Sequence, residues 1–445
     1  MSFKNREKII ENGQTPELKR IREDVLDILT SALNSIDPYK AVKSMFYRKK
    51  IKVDGKSIDT DNFENIYVVG FGKASVGMIQ AICDSINVKK GAIITNDSNK
   101  KVESDCINSF VGSHPIPDQN SIDSTDRLID VIKMCGNTDL LIVLISGGGS
   151  ALLCKPRVSL KDLQYTTDLL LRSGAEINEI NTIRKHLSFV KGGQLAKFAK
   201  CKTVSFIISD VVGDPIEFIA SGPTYPDSTT YDDAKMIFKK YDLWQKLPSD
   251  VTNIINDGVQ GILAETPKGD NPIFDNLSNF IIANNEIVCT AAIDRAKELG
   301  YATKLFSTSL TGEAKEIGVY LVQKAKNYRR ESRKRVFISG GETTVNIKGT
   351  GLGGRNQEMI LGSIHEINVK DMVFASFATD GIDGNSDAAG AIADDFSLTR
   401  ACEKNLDTTG FLEENNSHRF FMELDDLFMT GNTGTNVMDI QIIVV

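Results

Sequence analysis

The 445-residue chain has no basic excess: 52 Lys and Arg stand against 59 Asp and Glu, for a formal charge of −7. Domains whose main partner is nucleic acid carry clustered positive charge, so that partner is excluded, although an acidic protein still has room for a local basic site that takes a small anion. The seven Cys are odd in number and include no C-x-x-C pair, which supports neither a zinc framework nor a disulfide framework. Scattered thiols fit a reducing compartment, and a cytoplasmic location is expected. The four His include no pair at metal-ligand spacing, and nothing resembles a Ser-His-Asp nucleophile elbow. The longest apolar run, Leu140–Ile145, is far too short to span a bilayer. Met1–Arg20 is polar, with no apolar signal core, so no membrane partner is expected. Low-complexity tracts and short repeats are missing too.

What is present is alternation. The first sixty residues read as helical, with Ile21, Val25, Leu26, Ile28, Leu29 and Leu33 on one face. Short buried-type strands then follow at Ile66–Val69, Gly91–Thr95, Leu140–Ile145 and Thr203–Ile208, separated by helical patterns. Residues 227–268 read as polar and helical. Thr266–Pro272, with two Pro and one Gly, is the best linker. Beyond it strands are expected at Phe280–Ile282, Ala302–Phe306, Arg335–Ile338, Thr343–Ile347, Met372–Phe377 and Val437–Val445, with helices over Asn285–Leu299 and Glu313–Arg330. The expected fold class is α/β, with a Rossmann-like domain at 1–268 and a second α/β domain at 273–445.

The candidate chemistry lies in loops that follow these strands. Gly70-Phe71-Gly72-Lys73-Ala74-Ser75 joins a strand to a helix, where Gly70 and Gly72 allow close backbone approach and Lys73 adds a charge near the helix start. Tyr67 and Ala74 exclude a P-loop, while Asp97 past the next strand gives a weak dinucleotide fingerprint. Ser146-Gly147-Gly148-Gly149-Ser150 has more Gly than a turn needs, which points to a ligand against the backbone. Asp210 and Asp214 share one loop and suit a Mg²⁺ site or a catalytic base. Gly349–Gly354 delivers Arg355 and Asn356 at a helix start, and Arg is the fork that binds carboxylate or phosphate in two places. Asp380 and Asp383, in an Asp-rich loop without the Glu of a calcium hand, are candidate Mg²⁺ ligands. His114, in a Pro-rich loop, is a candidate ligand contact. The competing reading of each loop is a turn former or cap with no ligand.

Taken together and in order, these segments resemble the glycerate 2-kinase family with a C-terminal MOFRL domain. The resemblance also uses Gly112–Asp118, Asn181-Thr182-Ile183-Arg184-Lys185-His186, Ser221-Gly222-Pro223-Thr224 and Thr430–Asn436, and it runs from about Ile66 to Val437. It implies two α/β domains with the active site in the cleft between them. It implies ATP- and Mg²⁺-dependent phosphorylation of D-glycerate to 2-phosphoglycerate, with Mn²⁺ as a substitute metal. It also points to Lys73 and Arg355 as the catalytic cations. Asp210 and Asp214 are the candidates for base or Mg²⁺ ligand, with Asp210 placed among the catalytic residues and the identity of the base left open. The phosphate and substrate cradle is Gly70, Gly72, Ser146, Gly147, Gly148, Gly149, Ser150, Gly353, Gly354 and Asn356. The metal ligands are Asp214, Asp380 and Asp383. Which cation holds glycerate's carboxylate stays open. A homodimer is the candidate assembly, and an NAD(P)-dependent hydroxypyruvate reductase is the alternative activity.

Overall fold

The apolar runs of the first half become strands of one sheet. The computed structural model describes residues 3–99, 101–328 and 334–445. These strands are β1 (Ile66–Phe71), β2 (Lys90–Thr95), β3 (Ile107–Val111), β4 (Leu140–Ile145), β5 (Lys202–Ile208) and β6 (Leu277–Ala283). They lie in the order β3-β2-β1-β4-β5-β6, and every pairing from β3 to β5 is parallel. β1 and β4 are buried along their whole length, as strands covered on both faces must be. The winding direction reverses between β1 and β4. At such a point the loops leaving the carboxyl ends run apart and make room for a ligand.

This sheet belongs to a unit formed by Pro38–Ser209 and Asp214–Ile282. The helices Ile177–His186, Tyr231–Lys240 and Ser249–Val259 share an apolar cluster within it that includes Ile180, Ile183, Tyr231, Phe238 and Ile255, which matches the helical reading of 227–268. The expectation that the first sixty residues are helical fails at its end. Phe46–Tyr47, Lys50–Val53 and Lys56–Asp59 form a small antiparallel sheet. Ile51 and Val53 are buried between exposed Lys50 and Lys52, a period of two, and Asp54-Gly55 turns the chain with φ of 47° and 71°, the two left-handed positions that favour a tight hairpin.

The other unit holds Met1–Asp37, Asp210–Gly213 and Ala283–Val445. Its strands are β7 (Ala302–Leu310), β8 (Arg335–Gly341), β9 (Val373–Ala378), β10 (Gly390–Asp394) and β11 (Asp439–Val444), in the order β7-β8-β11-β9-β10. Only β7 and β8 pair in parallel; β11 enters between β8 and β9 antiparallel to both. The expected strand at Thr343–Ile347 does not form: Thr344 makes a lone bridge to Glu313, and Ile347 is exposed, so its β-branched residues have no sheet to join. The helix expected over Glu313–Arg330 runs Ala314–Lys326; Arg329 and Arg330 lie outside the described residues.

The expected division at 268 and 273 differs from these units at both ends. Residues after the Pro-rich segment still belong with the first sheet, where buried Phe280 and Ile282 sit on its edge strand. The helix Pro16–Ser35 belongs with the C-terminal elements. Its apolar face packs there, and its fully buried Arg22 donates to Asp394 and Asp426, each at 2.7 Å. That pairing keeps a charge inside the core satisfied.

Candidate functional site

Lys73 is placed by two loops laced together at the switch point. The Lys73 amide donates to the Gly147 carbonyl at 2.9 Å, and the Ala74 amide to Ser146 Oγ at 3.1 Å. Gly72 has φ of +120°, and a Cβ there would sit 2.2 Å from Ser146 Oγ, so only glycine permits this approach. The amides of Gly72 and Ser75 are engaged as well, on Ile94 and Gly72 carbonyls. The amides of the four residues from Gly72 to Ser75 are therefore all used inside the unit. Gly70 packs against Leu144 within the sheet, with a Cβ position 3.0 Å from that side chain, and Gly149 packs against Ala220 and Phe71. Asp97 takes its own turn's Asn99 amide at 3.0 Å.

The open donors lie on the second loop. Among the described residues, the amides of Gly147 and Gly148 have no acceptor, and the Lys73 ammonium has no carboxylate partner. Gly148 has φ of +80°, and a Cβ on it would lie 3.4 Å from Lys73 Cγ and 3.1 Å from the His114 ring. Glycine thus lets the backbone pass beneath Lys73 and His114. Burial, and then the Lys73 charge, lower the His114 pKa, so the imidazole is neutral at neutral pH and adds no second charge. Ser150 Oγ lies 2.9 Å from Ser221 Oγ, which donates to Asn181 Oδ1 at 3.2 Å. The buried Lys191 donates to the carbonyls of Ser150 and Leu153 at 2.7 and 2.9 Å, and burial lowers it to about 8. A cation and two unengaged amides facing one loop make a nest for oxyanions.

In the other unit the helix Arg355–Ser363 has no cap of its own, because Gly354 precedes it. Asp383 supplies one from a distant loop: its carboxylate accepts from the Asn356 and Gln357 amides at 3.0 and 2.9 Å, and from both their side-chain amides at 3.1 and 2.9 Å. Buried and bonded on both oxygens, Asp383 is not available as a metal ligand, which corrects that expectation. Burial raises its pKa against the pull of those bonds. Asn356 is equally engaged, since its oxygen accepts from Ser376 Oγ at 2.6 Å. The Gly-rich segment is corrected too. A Cβ on Gly349, Gly351 or Gly353 would lie 2.4, 2.4 or 2.2 Å from Glu414, Asn416 or Ser417, and one on Gly354 would lie 2.4 Å from Asp383. The close approach that these glycines permit is to protein. Asp380 forms a local turn with the Ile382 amide at 3.1 Å.

These contacts fix Arg355. Its Nε and Nη2 donate to the two oxygens of Asp439 at 2.5 and 3.0 Å, and Nη1 donates to Glu342 at 2.6 Å. One fork is therefore filled, and only two N–H bonds of the five remain for a ligand. Burial pushes Asp439 up to about 7 even with Arg355 on it. Asp439 is missing from the residues singled out by sequence. Asp439 had a signal, as the one acid within the apolar run 437–445.

Asp210 and Asp214 follow β5, with Asp214 in a left-handed conformation, φ 56°. Among the described residues, no three His, Cys, Asp or Glu side chains are grouped to hold a metal. No helix among them is long and apolar enough to cross a membrane.

Similarity to known proteins follows the two halves. A domain of unknown function, DUF4147, matches residues 24–256, and the MOFRL family matches residues 335–439. A glycerate 2-kinase of Pyrococcus horikoshii is 42% identical over 96% of this chain and 97% of its own. The chain belongs to the glycerate kinase family. The solved structure of a Thermotoga maritima glycerate kinase superposes on it with a TM-score of 0.85 at 33% identity, covering 96% of this chain and 100% of that one. A relative from Agrobacterium vitis, 37% identical over 85% of this chain and 86% of its own, is named a putative hydroxypyruvate reductase. Within the family's two matched regions, Lys73 falls in the first and Arg355 with Asp383 and Asp439 in the second.

Proposed function

We propose that this chain transfers the γ-phosphoryl group of ATP to the 2-hydroxyl of D-glycerate, giving 2-phosphoglycerate and ADP. The observation that carries the reading is a lysine with no counter-ion among the described residues, above two open glycine amides, in a chain that matches a glycerate 2-kinase over nearly its whole length. Phosphoryl transfer asks little covalent chemistry of a protein. It needs fixed cations and dipoles where charge moves, and a group that orients the attacking hydroxyl. Lys73 with the Gly147 and Gly148 amides answers the first need for phosphate oxygens. Arg355, held by Asp439 and Glu342, is a cation already in position, with two N–H bonds left to give. Asp210 takes the proton of the 2-hydroxyl as its oxygen bonds phosphorus and the bond to the β-phosphate oxygen breaks. Mg²⁺ arrives with ATP as part of the substrate, and Mn²⁺ serves the same hard oxygen chemistry. Asp214 is the candidate oxygen ligand beside it.

A pyridine-nucleotide reductase would need the Gly70-x-Gly72 turn to offer its amides to a pyrophosphate, and those amides are engaged. The purified chain is expected to release ADP from ATP only when D-glycerate is present, and to leave NADH and NADPH unoxidised with hydroxypyruvate. Pyridine-nucleotide turnover without ATP would reverse the assignment.

A further inference from the structure

The helix Ile177–His186 is unusually polar on its inner side, and its side chains are matched one by one. Asn181 accepts from Ser221, and Thr182 donates to the Asn178 carbonyl at 3.0 Å. Lys185 pairs with Asp227 at 3.0 Å and Glu217 at 3.6 Å. His186 sets one ring nitrogen 2.8 Å from the Thr182 carbonyl and the other 3.0 Å from Glu265. Arg184 is the exception. Among the described residues its guanidinium has neither a carboxylate nor a hydrogen-bond acceptor.

Its surroundings make this more notable. Burial lowers the Arg184 pKa, with the Cys154 thiol as the one group acting the other way, and Arg184 in turn depresses the neighbouring Lys191. Two partly dehydrated cations thus stand near each other without an anion, an arrangement that disfavours folding unless something compensates. Arg184 remains only half-buried, so its free donors are within reach of a ligand. Asn181 lies three residues earlier on the same helix face. Through Ser221, Asn181 is linked to Ser150, and Lys191 holds the Ser150 carbonyl. Ala220 and Ser221 carry this link with φ of 50° and 62°, a strained backbone that persists only where its surroundings fix it.

We propose that Arg184 is a substrate-binding residue whose open guanidinium takes an oxyanion at the carboxyl end of β4, either the carboxylate of glycerate or a phosphate of the nucleotide. The proposal rests on the kinase reading and adds to it a third cation, the one whose fork no protein carboxylate fills.

The test uses the full chain with Arg184→Met and Arg184→Lys. Michaelis constants are measured for D-glycerate and ATP separately, with calorimetric titration of each ligand and of inorganic phosphate. Because Arg184 has no partner among the described residues, Arg184→Met is expected to melt at or above the wild-type temperature. The KM of one substrate should rise about 10- to 100-fold, with a smaller change in kcat. Arg184→Lys should recover only part of this, since an ammonium lacks the fork. A rise for glycerate assigns the carboxylate, and a rise for ATP assigns the phosphate. A folded Arg184→Met with unchanged KM and binding for both overturns the proposal, as does a lowered melting temperature with unchanged KM. If the wild type fails to phosphorylate glycerate, the kinase reading falls on its own. Titration with phosphate then still decides the oxyanion site: binding that Arg184→Met weakens supports it, and binding that is equal or absent in both overturns it.

Discussion

Replacing Arg355 by Met removes a charge that the fold uses and that the proposed reaction calls on, and the two losses are separable. Asp439 is 1% exposed and receives two bonds from Arg355, whereas Glu342, 42% exposed, receives one. Glu342 regains water when Arg355 is lost and contributes little. Asp439 cannot, and breaking a buried pair from one side costs about 3–5 kcal/mol. Burial already pushes Asp439 up to about 7 with Arg355 present, so the orphaned carboxyl takes up a proton at neutral pH. That relief sets the expected loss near the lower end, about 3 kcal/mol at pH 7. The sign follows from linkage: the folded state holds this proton more tightly than the unfolded chain, so the penalty shrinks as pH falls toward the ordinary carboxyl value. Urea unfolding of Arg355→Met at a series of pH values reads both quantities. Adding Asp439→Asn should restore most of the stability but none of the lost kcat/KM. A single variant that loses less than about 1 kcal/mol, or a double variant that regains turnover, would refute the assignment of a shared role.

Lys73→Ala should lower kcat by about 10²–10³-fold, the scale of one preorganised electrostatic contact, with an unchanged melting temperature, because its side chain has no partner among the described residues; steady-state kinetics and calorimetry check this. Chelator should abolish turnover and Mg²⁺ or Mn²⁺ restore it, without moving the melting temperature, since no metal-holding cluster exists among the described residues. Burial would raise Glu265, but bonds from His186 and the Tyr231 and Thr266 amides outweigh it and hold it at about 2 rather than 4.5. A depressed carboxylate stabilises the fold above its unfolded pKa and is lost as pH falls toward the folded one, so Glu265→Gln should flatten the stability loss between about pH 4.5 and 2 in urea midpoints. Gly72→Ala, whose Cβ would lie 2.2 Å from Ser146 Oγ, should unfold at lower temperature and lose activity by parting the two loops, as thermal melts and kinetics can show.

The parts of the fold that are legible in the sequence are those whose signal is local. β1 and β4 are apolar runs followed by glycine-containing turns, whereas their adjacency at the switch point, past β2 and β3, is a pairing that alternation alone does not specify. β3 is not legible, because only Ile107 of its five residues is buried. The place of β11 between β8 and β9 is a long-range choice that no local pattern records. Glycine proved ambiguous for a physical reason. It signals a close approach without saying to what: Gly148 lies under Lys73, while Gly349, Gly351 and Gly353 lie against Glu414–Ser417. Arg355 stands out in the sequence as a candidate cation, but its filled fork does not, since Asp439 is 84 residues away in the chain. Arg22 was hidden because a buried charge on an otherwise apolar helix face looks like an exposed one until its acids, Asp394 and Asp426, are folded against it.

Phosphorus NMR of the product reads which hydroxyl of glycerate receives the phosphate. Carbon 2 of glycerate bears one proton and carbon 3 bears two. Incubation of the purified chain with ATP, Mg²⁺ and D-glycerate is predicted to give a phosphomonoester signal split into a doublet by the single proton on carbon 2. A triplet from the two protons on carbon 3 would rule out transfer to the 2-hydroxyl, and no new phosphomonoester while ATP remains intact would rule out the kinase activity.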